Sequence, residues 1–409
     1  MSFEIITFLK QKKKILILFL VILLASTLAF LLIKDVNVLC DELTHYYQIR
    51  AFANGNFRQL PALTTIPGYH LFFAYLSKPF GQLSIPLTRF LSMIFSLLSV
   101  LLFFFISKNI NPDSNLTRTM QYYFFPILFP FFFLIYTDVF SIFLILLSLY
   151  LVFKQRFYLS AIAGILSIFV RQNNVIWLFL ILLLIYHHNY KFSISFSGLK
   201  IFLKHCWLYI LGIIGFFIFV ILNKGFAVGD VSHHPAFSFH LGNVFFMLFL
   251  FFFLFLPLNI ANFNKIIGFI KQRKKILFLI IPFFIIYIFT FVIDHEYNHI
   301  EGFLRNFILL FFTSNFYLKV VFFIVVTYSI LSLSVTKLYQ KSLYLLYPLT
   351  FLYLIPSWLI EQRYYLIPFT LFMLFREKKS NLVEYSSIII YIIFSAIFFW
   401  AIANRYFFL

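Results

Sequence analysis

About 13 apolar stretches, separated by short lysine-bearing connections, constrain this chain more than any other feature. The first runs from Ile15 to Ile33 and follows Lys10, Lys12, Lys13 and Lys14. Others occupy approximately 83–106, 119–136, 138–153, 157–170, 173–186, 201–222, 240–260, 276–293, 316–335, 343–356, 364–375 and 386–403. The chain is 63% hydrophobic and contains 65 Phe among 409 residues. Only 11% is charged, against roughly 25% in an ordinary soluble domain. A soluble fold cannot hide that much apolar surface. The pattern excludes a soluble enzyme, a disordered chain and a coiled coil, and leaves an all-α polytopic membrane protein. Ile15–Ile33 is too long for a signal-peptide core and no small-residue cleavage site follows it, so it reads as an uncleaved first span. Several later stretches fall short of the roughly 20 residues that cross a bilayer. They are expected as tilted pairs, re-entrant hairpins or interrupted helices. The expectation is one integral membrane domain over 1–409, with about 11–13 transmembrane helices. Cys40 and Cys206 do not make a disulfide framework.

The net charge of +19 would point to nucleic acid in a soluble protein. Alternating the spans from a cytoplasmic N-terminus explains it differently. That side receives 21 of the 32 basic residues and only four of the 13 acids, Glu4, Asp113, Glu377 and Glu384. The charge is then mainly a positive-inside signal, and no nucleic-acid partner is expected. The cytoplasmic connections, including Arg118 and Arg376, read as anchors without chemistry.

The opposite face is mixed in sign and rich in His and Asn. The first extracytoplasmic loop, 34–67, carries Asp41, Glu42 and His45. Arg171-Gln172-Asn173-Asn174 is a short junction. Gly229-Asp230-Val231-Ser232-His233-His234, with His240, makes a third cluster. Asp294-His295-Glu296-Tyr297-Asn298-His299, with Glu301 and Arg305, makes a fourth, and Glu361-Gln362-Arg363-Tyr364-Tyr365 a fifth. Ionisable groups at a membrane boundary are costly unless paired or solvated, so five clusters on one face point to a shared polar cavity.

No Gly-rich nucleotide-binding loop is present. A membrane enzyme without one can use a lipid-linked donor. Sugar transfer from a lipid phosphate needs a carboxylate to take the proton of the attacking hydroxyl. It needs cations to stabilise the departing phosphate, and an apolar groove for the lipid. Asp41 or Glu42 offers the carboxylate; Arg171, Arg305, Arg363 and the histidines offer the cations. A competing pattern is His295-Glu296-Tyr297-Asn298-His299, which fits HExxH, two zinc ligands one helical turn apart with a glutamate base. Asp230, His233 or His234 would supply a third ligand.

At these loops the sequence resembles the eukaryotic alpha-1,2-glucosyltransferases that add the last glucose to the dolichol-linked precursor of N-glycans, members of the GT-C group. Asp41-Glu42, His45, Gln48, Phe57, Thr64-Thr65 and Pro67-Gly68-Tyr69 follow that family's first-loop pattern. Arg171-Gln172, Asn174 and Trp177, then Gly229-Asp230, Ser232 and His234, then Glu361, Arg363-Tyr364 and Ile367-Pro368 follow in its order. Asp294, His299 and Arg305 fit a looser frame that overlaps the HExxH match and disfavours zinc there. Arg58-Gln59-Leu60-Pro61-Ala62 departs from the family, which has Trp-Asp-Pro before its Thr-Thr.

The resemblance implies an inverting glucosyltransferase with dolichyl phosphate glucose as donor and a diglucosylated dolichyl-diphosphate oligosaccharide as acceptor. No cofactor or metal is implied. Asp41 is the implied base, with Glu42 in reserve. Arg171, Arg363 and Arg305 are implied at the donor phosphate. His45, Asp230, His234, Glu361 and His299 would order the loops or bind sugar. The implied setting is the endoplasmic reticulum membrane with a lumenal site; in a bacterium it would be the inner membrane. A bacterial GT-C transferase acting on another lipid-linked glycan, and a transporter or flippase for a lipid-linked sugar, are the alternatives. A transporter should show repeats and polar residues near the bilayer midplane.

Overall fold

The computed structural model describes residues 2–190, 196–231, 233 and 239–409. The described residues form seventeen α-helices, eight short 3₁₀ segments and no strand beyond two isolated bridges. Among the described residues, five helices are long and apolar enough to cross a membrane: Lys12–Ile33, Ile85–Ile110, Leu199–Asn223, Phe316–Val335 and Asn381–Ala403. A sixth candidate is the pair Gly242–Leu254 and Leu256–Gln272, bent by 97°. Pro257 sits in the first turn after the break, where a missing N–H costs nothing and the ring stops the preceding helix from continuing straight. Side-chain caps fix other helix starts. Ser84 accepts from the Leu87 N–H, Asn315 from Leu318 and Ser380 from Val383. The chain is therefore a multi-pass, all-α membrane protein, and the rest of its apolar segments form shorter helices packed among these.

The expected span 119–136 is not one helix. Helix Asn115–Tyr123 ends, and Phe129–Phe133 forms a 3₁₀ turn. Pro126 and Pro130 are the cause, since each removes a backbone donor and clashes with the preceding turn. The irregular stretch is nonetheless buried throughout, which a membrane protein tolerates only where protein surrounds it. The short helix Thr137–Phe153 follows and packs on Ile85–Ile110 and Phe157–Val170.

Arg118 and Arg376 are also not wet anchors. Both are 1% exposed and converge on the buried Glu384. Arg376 spans both Glu384 oxygens at 2.8 and 2.7 Å and donates to Gln121 at 3.0 Å. Arg118 donates to the Met373 and Arg376 carbonyls. Residues far apart in sequence but assigned to one membrane face thus meet at one place.

Arg363 touches Asp41 at 2.9 Å, so these two share a face as well. Single cysteines at positions 12 and 274, in a Cys40→Ser/Cys206→Ser background, should label from the cytoplasmic side. Cysteines at 41 and 363 should label from the other. Labelling of 12 from the far side would overturn the N-terminal orientation, and labelling of 12 and 41 from one side would overturn the first span.

Candidate active site

The polar cavity forms where helices end, because helix termini leave backbone groups that need water or side chains. It measures about 310 Å³ and is lined by Asp41, Thr44, His45, Thr64, Thr65, Arg171, Asp230, Tyr297, Arg305, Glu361, Arg363 and Tyr364, among others. Asp41 stands at the N-cap position of helix Glu42–Ala53, where its side chain makes no capping bond. Arg171 follows helix Phe157–Val170. Glu361 and Arg363 lie in the break before Leu366–Phe375.

Amide side chains clamp these segments. Asn243 donates to the Ser357 and Leu359 carbonyls and accepts from the Glu361 N–H. Asn298 exchanges two hydrogen bonds with the Ile360 backbone. Gln172 donates to the Thr64 and Phe226 carbonyls, and Gln48 holds the Arg58–Leu60 turn. Gly229 allows the close approach that carries Asp230 to the cavity. A Cβ there would lie 1.9 Å from the Leu63 carbonyl oxygen, so only glycine fits.

The charges are already paired. Arg363 donates to Asp41 at 2.9 Å and to Glu361 at 3.3 Å, beneath the Tyr136 ring. Arg305 reaches Glu361 at 3.1 Å and the Leu409 carbonyl at 3.0 Å. Arg171 holds Asp138 at 2.6 Å. Burial would raise the Asp41 carboxyl, but Arg363, then His45 and Arg305, outweigh it and hold it below the ordinary aspartate range. Asp41 is therefore an ionised carboxylate at neutral pH, with 55% of its side chain open to the cavity. Burial pushes His45 down to about 4 against the attraction of Asp41, with Arg363 and Arg171 pushing the same way. Its ring is neutral at pH 7.

Of the residues expected from sequence, the structure brings together Asp41, His45, Arg171, Asp230, Arg305, Glu361 and Arg363. His234 lies outside the described residues. Glu42 does not reach the cavity. It is fully buried, and its two oxygens accept from Arg89 at 2.8 and 2.5 Å and from the Ile135 and Leu39 N–H groups at 2.9 Å each. Consecutive residues at a helix start point about 100° apart, so Asp41 faces the cavity while Glu42 faces the interior. His299 is also outside the cavity, exposed and bonded to the Ile293 carbonyl at 3.0 Å.

Asp138, the partner of Arg171, is a site residue that the sequence patterns leave out. Its signal was an acid opening an apolar run, which reads equally well as favourable helix-start charge.

The HExxH residues do not adopt metalloprotease geometry. Glu296–His299 is a 3₁₀ turn, with His295 outside it, so the two rings do not stack one α-turn apart. His295 is buried, accepts from the Tyr297 N–H and contacts the His233 carbonyl. His299 is tied to a different carbonyl. Purified protein should hold well under one zinc per chain by elemental analysis, and strong chelation should leave its activity intact. Tight zinc that disappears in His295→Ala and His299→Ala would restore the protease reading.

Helix ends closing round one ionic cavity, inside a bundle of apolar helices, define a polytopic membrane protein with a polar site at one face. The chain matches the DIE2/ALG10 family over residues 36–195 and 184–374, and it belongs to that family. Three relatives carry the name Dol-P-Glc:Glc(2)Man(9)GlcNAc(2)-PP-Dol alpha-1,2-glucosyltransferase. The Candida albicans protein is 32% identical over 286 residues, 64% of this chain and 62% of the relative. The Rattus norvegicus protein is 25% identical, covering 63% of this chain and 66% of the relative. A Homo sapiens protein is 25% identical over 398 residues, 82% and 83% of the two chains. The alignment thus spans slightly under two thirds of the first two relatives. No solved structure matches the chain.

Proposed function

We propose that this chain is an inverting alpha-1,2-glucosyltransferase of the GT-C type. Its donor is dolichyl phosphate glucose and its acceptor the dolichyl-diphosphate oligosaccharide named for its relatives. The observation that carries the reading is a meeting of two cavities at Arg305. The polar cavity holds Asp41 and three arginines. A neighbouring apolar cavity of about 340 Å³ also reaches Arg305 and is otherwise lined by residues such as Phe246, Phe249, Ile308, Phe312 and Phe398. A phosphate at the arginines would leave its polyprenyl chain beside apolar side chains. A water-soluble sugar nucleotide would have no use for them.

In this reading the acceptor hydroxyl attacks C1 of glucose from the face opposite the phosphate. The C1–O bond to phosphate breaks, and the hydroxyl proton passes to Asp41. The electrons of the broken bond stay on phosphate, where Arg363, Arg171 and Arg305 stabilise them. Arg363 couples the two events. A phosphate that draws Arg363 away from Asp41 removes the charge that depresses the carboxyl, so the base strengthens once donor is bound. The arginines supply the charge stabilisation that a metal supplies elsewhere, and the transfer is proposed to need none. The whole chain acts as one membrane domain, N-terminus cytoplasmic, with 34–67 the first lumenal loop in the endoplasmic reticulum.

Purified protein, incubated with radiolabelled dolichyl phosphate glucose and a panel of lipid-linked acceptors, should transfer glucose to a glucose-terminated acceptor with inversion. Movement of the lipid-linked sugar across liposomes without any transfer would replace the enzyme with a flippase.

A further inference from the structure

His45 and His70 form a buried pair behind the cavity. His45 Nδ1 lies 2.9 Å from His70 Nε2. The ring planes differ by 28° and the centroids are 5.2 Å apart, which is the geometry of two rings meeting edge to edge through a hydrogen bond. His45 lines the cavity. His70 does not; it is fully buried on helix Gly68–Ser77, and its Nδ1 has no hydrogen-bond partner among the described residues.

One proton sits between the two nitrogens, and there are two ways to place it. If His45 donated, His70 would carry its own proton on Nδ1, giving a buried N–H with no acceptor. If His70 donates, its Nδ1 is an unprotonated lone pair. Orphaned buried N–H groups are the rarer and costlier case. The second arrangement is therefore favoured, and it dictates the other edge of His45. With Nδ1 accepting, a neutral His45 carries its proton on Nε2.

We propose that His70 is a positioning residue. By donating Nε2–H to His45 Nδ1, it holds His45 as a neutral ring that presents Nε2–H to an oxygen of the donor head group. The proposal rests on the transferase reading above for the identity of that oxygen, but the tautomer does not. Burial supports neutrality, lowering both rings. The groups facing His45 are Asp41, which favours its protonation, and Arg363, Arg171 and His70, which oppose it. Tyr69 and Tyr136 pack edge-on against its ring. A charged His45 would pair with Asp41 and occupy the base. His70 prevents this, because an added proton on His45 Nδ1 would confront the proton that His70 already directs there.

The test combines kinetics with a readout that needs no turnover. In His70→Leu the donor to His45 is lost. The donor KM should rise about tenfold, the energy of roughly one hydrogen bond, with the acceptor KM unchanged. The acid limb of kcat/KM should move to higher pH as His45 becomes able to bind a proton. His70→Gln can direct an amide N–H at His45 and should recover most of both effects. A merely space-filling His70 would leave the pH profile alone, and glutamine would rescue no better than leucine; that result overturns the proposal. Independently, ¹⁵N-histidine NMR of the wild-type protein should find both rings protonated on Nε2. A proton on His45 Nδ1 overturns the proposal whatever the kinetics. The expected tautomers without glucose transfer to any acceptor would place the failure in the transferase reading instead.

Discussion

Asp41→Asn should abolish nearly all glucose transfer while leaving protein level, thermal stability and donor binding close to wild type. A positioned general base contributes about 10²–10⁴ in rate, and the expected loss of kcat is at least of that order. Asparagine is nearly the size of aspartate and can still accept from Arg363, whose present contact is a single bond of 2.9 Å to Oδ2. It cannot take a proton near neutral pH. Stability should be spared because Asp41 is half open to the cavity and Arg363 keeps Glu361 as a second carboxylate partner. The pH profile gives a second check. Arg363 holds the Asp41 carboxyl below its ordinary value despite burial. Asp41 therefore does not limit the acid side, and the acid limb of wild-type kcat/KM should lie at about 4, where His45 takes up its proton. Near-normal turnover of Asp41→Asn would move the base elsewhere, with Asp230 next, since it lines the same cavity. Asp294, another far-face acid, does not line it and is engaged by the Trp358 indole N–H at 2.7 Å.

Much of this site was legible in the chain because the membrane sharpens the meaning of charge. In a sequence this apolar, an Arg, His or Asp at the end of a span must be paired or wet. Clusters on one face therefore foretold the meeting of Asp41, Arg171, Asp230, Arg305, Glu361 and Arg363. Helix phase was not legible. Asp41 and Glu42 are adjacent carboxylates before the same helix, and only the angle between successive residues decides which one faces the cavity. Arg89 was hidden for a related reason. A lone arginine within the apolar stretch 83–106 gave no sign of its partner, which lies 47 positions earlier. The paired amides of Asn243 and Asn298 were silent too, because their partners are backbone groups more than 60 residues away. Pro126 and Pro130 did signal the break in 119–136, but hydropathy alone carried the span across them. Arg118 and Arg376 obeyed the positive-inside count and still proved to be interior residues. That count records which end of a helix a charge occupies, not whether water reaches it.

Glu42→Gln should give the opposite phenotype from Asp41→Asn: a strongly destabilised protein whose surviving fraction turns over at close to the normal rate. Every group around Glu42 is a donor. Arg89 Nε and the Ile135 N–H meet one oxygen; Arg89 Nη2 and the Leu39 N–H meet the other. Glutamine can accept on one side only, and its own N–H₂ then faces two donors. Both charged side chains are fully buried, and removing one partner from such a pair typically costs about 3–5 kcal/mol because the other charge is stranded. The measurement is a thermal midpoint in detergent together with turnover per folded molecule. Replacing both partners, as in Glu42→Leu with Arg89→Met, should recover only part of the loss. Two buried apolar chains no longer strand a charge, but Arg89 Nη1 also donates to the Ile33 and Val36 carbonyls at 2.5 and 2.6 Å. Those acceptors would lose their partner, and with it the tie between the end of the first helix and the turn that presents Asp41. A Glu42→Gln protein that melts like wild type yet has lost turnover would exchange the roles of the two neighbours. The base would then be the residue behind Arg89, and the paired Asp41 would be the scaffold.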